Sequence, residues 1–89
     1  MLTSYYTKQF EKDVNLQKRR GKKMEKLKEV MAFLVEGKPL GARNRGHKLS
    51  GILKDYQECH IESDWLLIYK IQKSGIYFAR TGTHANLFE

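Results

Sequence analysis

At 89 residues the chain can form one small domain with a single core and little else. It has no apolar run long enough to cross a bilayer and no signal-peptide pattern over residues 1–10, so the expectation is a soluble, cytoplasmic protein without a membrane partner. The net charge of +7 is uneven: residues 1–54 carry fourteen Lys and Arg against five Asp and Glu, whereas residues 55–89 carry three against five. A basic first half of this kind is the electrostatic footprint of a polyanion binder.

Taken in chain order, Leu2 to Tyr6 reads as a short strand, after which Thr7 can cap a helix with Phe10 and Val14 four residues apart. Gly21 interrupts the basic run KRRGKK (Lys18 to Lys23) and separates this helix from a second. In the second helix Met24, Leu27, Met31 and Leu34 share one stripe, with Val30 beside them and Lys23, Lys26 and Glu29 facing outward. Gly37 and Pro39 end it. The stretch from Leu40 to Gly51, with three glycines and three basic residues besides His47, reads as a loop.

Three strands follow. Tyr56 to Ile61 alternates, Trp65 to Ile71 is nearly all apolar, and Ile76 to Thr81 comes after a Lys73-Ser74-Gly75 turn. Between the first two, Glu62-Ser63-Asp64 forms a tight turn that brings His60 and Asp64 together at one end of the sheet. Cys59 is the chain's one cysteine. It cannot form an internal disulfide, and in a strand it is expected to be a buried hydrophobe rather than a nucleophile. The order β-α-α-β-β-β specifies an α+β domain, a helical hairpin packed on one face of an antiparallel sheet.

All three histidines lie in the second half, at His47, His60 and His84, accompanied by Asp64, Arg80 and Phe88. Imidazole gives and takes protons near neutrality. With a carboxylate and an arginine, such groups suit acid-base cleavage of a phosphodiester. A lone histidine is usually a surface or satisfied core residue, and imidazoles with a carboxylate could also bind zinc, but the spacings match no compact zinc signature. No metal or other cofactor is therefore expected.

Three phrases, HKLSGILKDYQECHI, ESDWLLIYKI and FARTGTHANLF, resemble the RelE/ParE superfamily of bacterial toxins, and specifically its YafQ-type branch. The resemblance covers essentially all of residues 1–89 as one domain and implies the same β-α-α-β-β-β order. It further implies a ribosome-dependent endoribonuclease that enters the A site on the small ribosomal subunit, cuts mRNA there and is held inactive by a cognate antitoxin. Carried over by position, the catalytic set is His47, His60, Asp64, Arg80 and His84, with Arg80 on the reacting phosphate. Trp65 and Phe88 would stack on bases, and Lys22, Lys23, Lys26 and Lys48 would bind the nucleic-acid backbone.

Cleavage of RNA needs the 2′-hydroxyl deprotonated for attack on its own phosphate, charge stabilised on the phosphoryl oxygens and the departing 5′-oxygen protonated. The product is a 2′,3′-cyclic phosphate or 3′-phosphate. The expected assignment is His84 as acid, Asp64 and His60 as a coupled base pair, and His47 with Arg80 on the phosphate. A ParE-like inhibitor of DNA gyrase would share the fold without needing the His/Asp set, and a small metal-binding regulator is a further alternative.

Overall fold

Thr7 closes the first strand, β1 (Thr3–Tyr6), and opens the first helix, α1 (Lys8–Arg19), in a computed structural model that describes residues 1–38, 47–48 and 54–88. Its hydroxyl accepts from the Phe10 amide at 2.9 Å, satisfying one of the helix's orphan donors, and donates to the Ala79 carbonyl at 2.9 Å. The second helix, α2 (Met24–Val35), follows after Gly21. Both helices stop in the same way. Gly21 (φ +85°) and Gly37 (φ +74°) take the left-handed conformation just past each end. The residue after each glycine then bonds back into the last turn, Lys22 to the Gln17 carbonyl at 3.1 Å and Lys38 to that of Phe33 at 3.0 Å.

The chain then forms β2 (His47–Lys48), β3 (Gln57–Glu62), β4 (Trp65–Gln72) and β5 (Gly75–Gly82), and ends in a short helix, α3 (His84–Phe88). Most of the predicted loop from Leu40 to Gly51, and Pro39 with it, lies outside the described residues. The sheet order is β1-β5-β4-β3-β2. Strands β2 to β5 pair antiparallel, as the tight turns between β3, β4 and β5 require, whereas β1 pairs parallel with β5. The sheet is thus mixed rather than wholly antiparallel. A strand separated from its neighbour by a helical hairpin has no two-residue turn to impose the antiparallel sense.

Alternation divides the sheet into two faces, and a bulge at Ala79 in β5 switches the parity between Phe78 and Arg80. Cys59, Trp65, Leu67, Tyr69, Ile76 and Phe78 pack with Phe10, Leu27, Val30 and Leu34 from the helices, and Met24 and Met31 border this core. Glu58, His60, Leu66, Ile68, Lys70, Tyr77 and Arg80 occupy the alternate positions on the opposite face. Burial pushes the Cys59 thiol up to about 12, with the Glu58 charge adding to the shift. Cys59 is therefore a core side chain, as its strand position suggested.

The edge of β5 is closed in two pieces. β1 pairs with Gly75 to Phe78 only, and beyond that point α1 takes over. Thr7 bonds to Phe78 and Ala79, and the Thr81 amide donates to the Asp13 carboxylate at 3.2 Å. Side chains of α1 thus satisfy backbone groups that a neighbouring strand would otherwise pair.

Candidate active site

A bulge between His60 and Glu62 ends the regular part of β3, and Ser63 and Asp64 then turn the chain into β4. The His60 ring turns back on this corner, with Nδ1 3.3 Å from the Ser63 carbonyl oxygen. A carbonyl only accepts, so Nδ1 carries the hydrogen, and in the neutral form of the ring the lone pair is on Nε2.

The opposite wall is built by α3. Thr83 and Asn86 cap its start reciprocally, the Asn86 amide donating to the Thr83 hydroxyl at 3.2 Å and the Thr83 amide to Asn86 Oδ1 at 3.1 Å. The same Asn86 oxygen accepts from Gln17 Nε2 at 3.0 Å and Arg20 Nη1 at 3.3 Å, tying the helix to the end of α1. Gly82 permits the close approach, since a Cβ there would meet the Asn86 Cβ at 3.0 Å. These bonds hold His84 at the first position of α3, directly over the β3–β4 turn.

Asp64 receives two bonds from His84. The backbone amide donates to Oδ1 at 3.0 Å, and ring Nδ1 lies 2.6 Å from the same oxygen. Together, the backbone bond foremost, they hold the Asp64 carboxyl below the usual carboxylate range. An ionised carboxylate only accepts, so His84 donates through Nδ1 and its Nε2 is the nitrogen that can exchange a proton. Both side chains are more than half exposed, 52% for His84 and 61% for Asp64. The His60 and His84 rings stand 6.0 Å apart, and Phe88, one turn along α3, lies 6.4 Å from His84 with 46% of its surface exposed.

His60, Asp64, His84 and Phe88 therefore converge as expected, with one change of partner. Asp64 pairs with His84 and not with His60, because α3 delivers both an amide and a ring nitrogen to its carboxylate whereas the bulge turns His60 toward Ser63. Only the backbone of His47 and Lys48 is described: they pair with Glu58 and Gln57. Register nevertheless places His47, Glu58, Ile68 and Arg80 in one row across four strands, beside the row of His60, Leu66 and Gly82.

One expectation needs correction, and another residue gains a partner. Trp65 is completely buried, its indole N–H donating to the Thr81 hydroxyl at 3.0 Å, so it cannot stack on a base. It begins β4 on the helix-facing side and fills the core. Arg80 was expected to present its charge to phosphate, yet its guanidinium grips Asp13, with Nε 2.7 Å from Oδ2 and Nη2 3.3 Å from Oδ1. With its side chain 35% exposed, Arg80 is a partly neutralised cation at the margin of the site.

The basic corner between α1 and α2 lies at the same end. Lys26 Nζ is 2.7 Å from Glu62, whose carboxyl is held low by that bond, with smaller contributions from the charges of Lys26, Lys22 and Lys23. Lys22 sits 5.6 Å from the centre of the Trp65 ring. Sequence reasoning missed Asp13 and Asn86. Asp13 had a readable signal, since Phe10, Asp13 and Gln17 fall at helical spacing on one stripe, and all three are buried. Among the described residues no group of three or more His, Cys, Asp and Glu is placed to hold a metal ion.

Comparison with known proteins decides the lineage. Residues 2–89 match the family model described as "Bacterial toxin of type II toxin-antitoxin system, YafQ". The chain belongs to the YafQ family of bacterial toxins. It is 46% identical over 84 residues to the mRNA interferase toxin YafQ of Escherichia coli K12, spanning 93% of this chain and 91% of the relative. The crystal structure of YafQ from E. coli BL21(DE3) superposes with a TM-score of 0.95 at 42% identity, covering 100% of both chains. YafQ in the E. coli DinJ–YafQ toxin-antitoxin complex gives 0.92 at 44% identity over 99% of this chain and 98% of that one. Among the described residues no helix is long and apolar enough to cross a membrane.

Proposed function

We propose that this YafQ-family toxin is an mRNA interferase that cuts mRNA in the ribosomal A site by acid-base catalysis through attack of the 2′-hydroxyl. The observation that carries the reading is the exposed Asp64–His84 pair facing His60 across 6.0 Å beside a basic corner. His84, anchored through Nδ1, delivers a proton from Nε2 to the departing 5′-oxygen, and Asp64 holds the ring in place and stabilises its charged form. His60, with Nδ1 turned to Ser63, takes the 2′-hydroxyl proton on Nε2. Each positioned proton-transfer group contributes roughly 10²- to 10⁴-fold.

Arg80, fixed by Asp13, and His47, in the same row of the sheet, supply positive charge near the phosphoryl oxygens. Phe88, exposed beside His84, stacks on an unpaired base. Lys22, Lys23, Lys26 and Lys48 attract the nucleic-acid backbone, and the exposed Lys26–Glu62 pair is weak enough for phosphate to displace. The base, the cation and the acid are all side chains, so the proposed mechanism assigns no step to a metal. A gyrase inhibitor would have no use for this cluster, and the family match is to YafQ. By likeness to the E. coli DinJ–YafQ complex, the partner that restrains the toxin is a cognate antitoxin.

The test is purified toxin on a translating ribosome and on the same mRNA free in solution. Cleavage is expected on the ribosome and hardly at all in its absence. Equal rates on the two substrates would contradict the A-site mechanism.

A further inference from the structure

The face of the sheet that carries His60 and Arg80 also carries a second, separate row of residues. Tyr5 on β1 is in register with Tyr77 on β5, and Tyr77 with Lys70 on β4. The two tyrosine rings stack at 4.8 Å with an interplanar angle of 12°. Lys70 Nζ lies between two rings, 5.5 Å from the centre of Tyr77 and 5.3 Å from that of Tyr56 just before β3. The row therefore reads Tyr5, Tyr77, Lys70, Tyr56. It alternates flat aromatic surface with a fixed cation.

Cross-strand aromatic pairing adds only modestly to the stability of a sheet. Three features point outward instead. Tyr5 keeps 47% of its surface exposed although it is paired. Gly75 leaves room for both rings, since a Cβ there would lie 3.0 Å from Tyr5 Cε2 and 3.3 Å from Tyr77 Cε1. Beside the rings is a cavity of about 270 Å³ lined by Tyr5, Gln72, Lys73, Ser74, Gly75 and Tyr77. None of these six residues is acidic, and Lys73 adds a positive charge to the cavity wall.

We propose that Tyr5, Tyr77, Lys70 and Tyr56 form a stacking platform for single-stranded RNA, distinct from the catalytic cluster. A base can stack on the outer face of Tyr5, whose inner face rests on Tyr77, and the lysines meet the backbone beside it. From Tyr77 to Arg80 is three residues along β5, roughly 10 Å at the rise of a strand, so one RNA strand can occupy both rows. The inference rests on the RNA-cleaving reading and extends it: the platform holds message next to the nucleotide being cut.

The experiment uses the full chain carrying His84→Ala and, as probe, a 2′-O-methyl uridine hexamer, which lacks the attacking hydroxyl. Binding is followed by NMR of the tyrosine rings, with thermal melts confirming the fold of every variant. Adding Tyr5→Ala and Tyr77→Ala should weaken binding about 5-fold or more, since stacking is worth roughly 1–3 kcal/mol per base. Tyr5→Phe with Tyr77→Phe should retain it. Gly75→Ala, which displaces the Tyr5 ring without deleting it, should weaken binding and keeps the test open if the double alanine variant fails to fold. An abasic hexamer of equal charge should bind more weakly and ignore these changes.

Equal affinity for the hexamer with and without the alanine pair would overturn the platform, as would loss of binding in the phenylalanine pair. Equal sensitivity of the abasic strand would reduce the row to a patch of charge and overturn it too. If the alanine pair weakened antitoxin binding and left RNA binding unchanged, the surface would be a peptide site and not an RNA site. Wild-type cleavage on ribosomes in any of these cases would leave the catalytic reading intact. Failure of that cleavage beside ring-dependent hexamer binding would sink the catalytic reading alone.

Discussion

Asp13 and Asp64 are bonded almost identically and sit in opposite environments. Each carboxylate accepts a backbone amide, Thr81 for one and His84 for the other, and each grips a basic side chain, Arg80 and His84 respectively. Asp13 is buried, takes a further bond from Gln9 at 3.0 Å and closes the edge of β5. Asp64 is open to solvent and its histidine keeps a nitrogen for proton exchange. The same bonding pattern makes scaffold where water is excluded and, in the mechanism proposed above, chemistry where reactants can enter. Burial, more than residue type, separates the two roles.

The comparison breaks most easily at the scaffold. Trp65→Ala, which empties part of the core, is expected to cost about 4 kcal/mol of stability. Asp13→Ala strands a guanidinium and leaves the Thr81 amide without its acceptor, and should cost about 3 kcal/mol, less than a fully buried pair because Arg80 is partly solvated. Urea unfolding measures both. A base-stacking Trp65 would instead show near-normal stability with lost cleavage. Asp64→Ala should lower the urea midpoint only slightly, and a shift as large as that of Asp13→Ala would erase the distinction between the two carboxylates.

A smaller effect concerns the basic corner. Replacing Lys22, Lys23 and Lys26 together by Gln should weaken ribosome binding and flatten its salt dependence, by a log-log slope of about 0.7–0.9 for each phosphate no longer neutralised. The cleavage step at saturating ribosome should change little. An unaltered salt slope would show these lysines to be a solvated face.

Smaller still is the titration of Asp64. Its carboxyl is held below the ordinary range, so the folded state keeps it ionised while the unfolded chain begins to take up protons. The stabilisation from its bond to His84 is therefore present above the unfolded carboxyl's pKa and is lost as pH falls through the folded one. By NMR the Asp64 carboxyl should titrate lower in the wild type than in His84→Ala. The backbone amide bond survives that change, so matching midpoints would mean that the ring bond is absent in solution.

How much of this was legible beforehand follows from locality. Thr7, Gly21, Gly37 and the stripe from Met24 to Leu34 act within a turn or two of chain, so helix limits and facing could be read directly. The antiparallel order of β3 to β5 followed from their tight turns. The parallel seat of β1 did not, because it depends on where a helical hairpin returns the chain. At the site, the fold brings together His60, Asp64, His84 and Phe88, which the resemblance had named, but their partners were not legible. His84 reaches Asp64 only through the capping of α3 by Thr83 and Asn86, and Arg80 turns to Asp13 across 67 residues of sequence. Trp65 was misread because its neighbour Asp64 is exposed: one step along a strand changes the face.

The central claim is that Asp64 acts through His84. Single-turnover cleavage on ribosomes should be measured for His84→Ala, Asp64→Ala and the double variant, with His60→Ala in a parallel cycle and thermal melts throughout. His84→Ala should slow cleavage by roughly 10²-fold or more with ribosome affinity retained. The Asp64/His84 double variant should be little slower than His84→Ala alone, whereas His60→Ala should add its own loss to that of Asp64→Ala. Additive losses at Asp64 and His84, or near-wild-type cleavage by folded His84→Ala, would contradict the account.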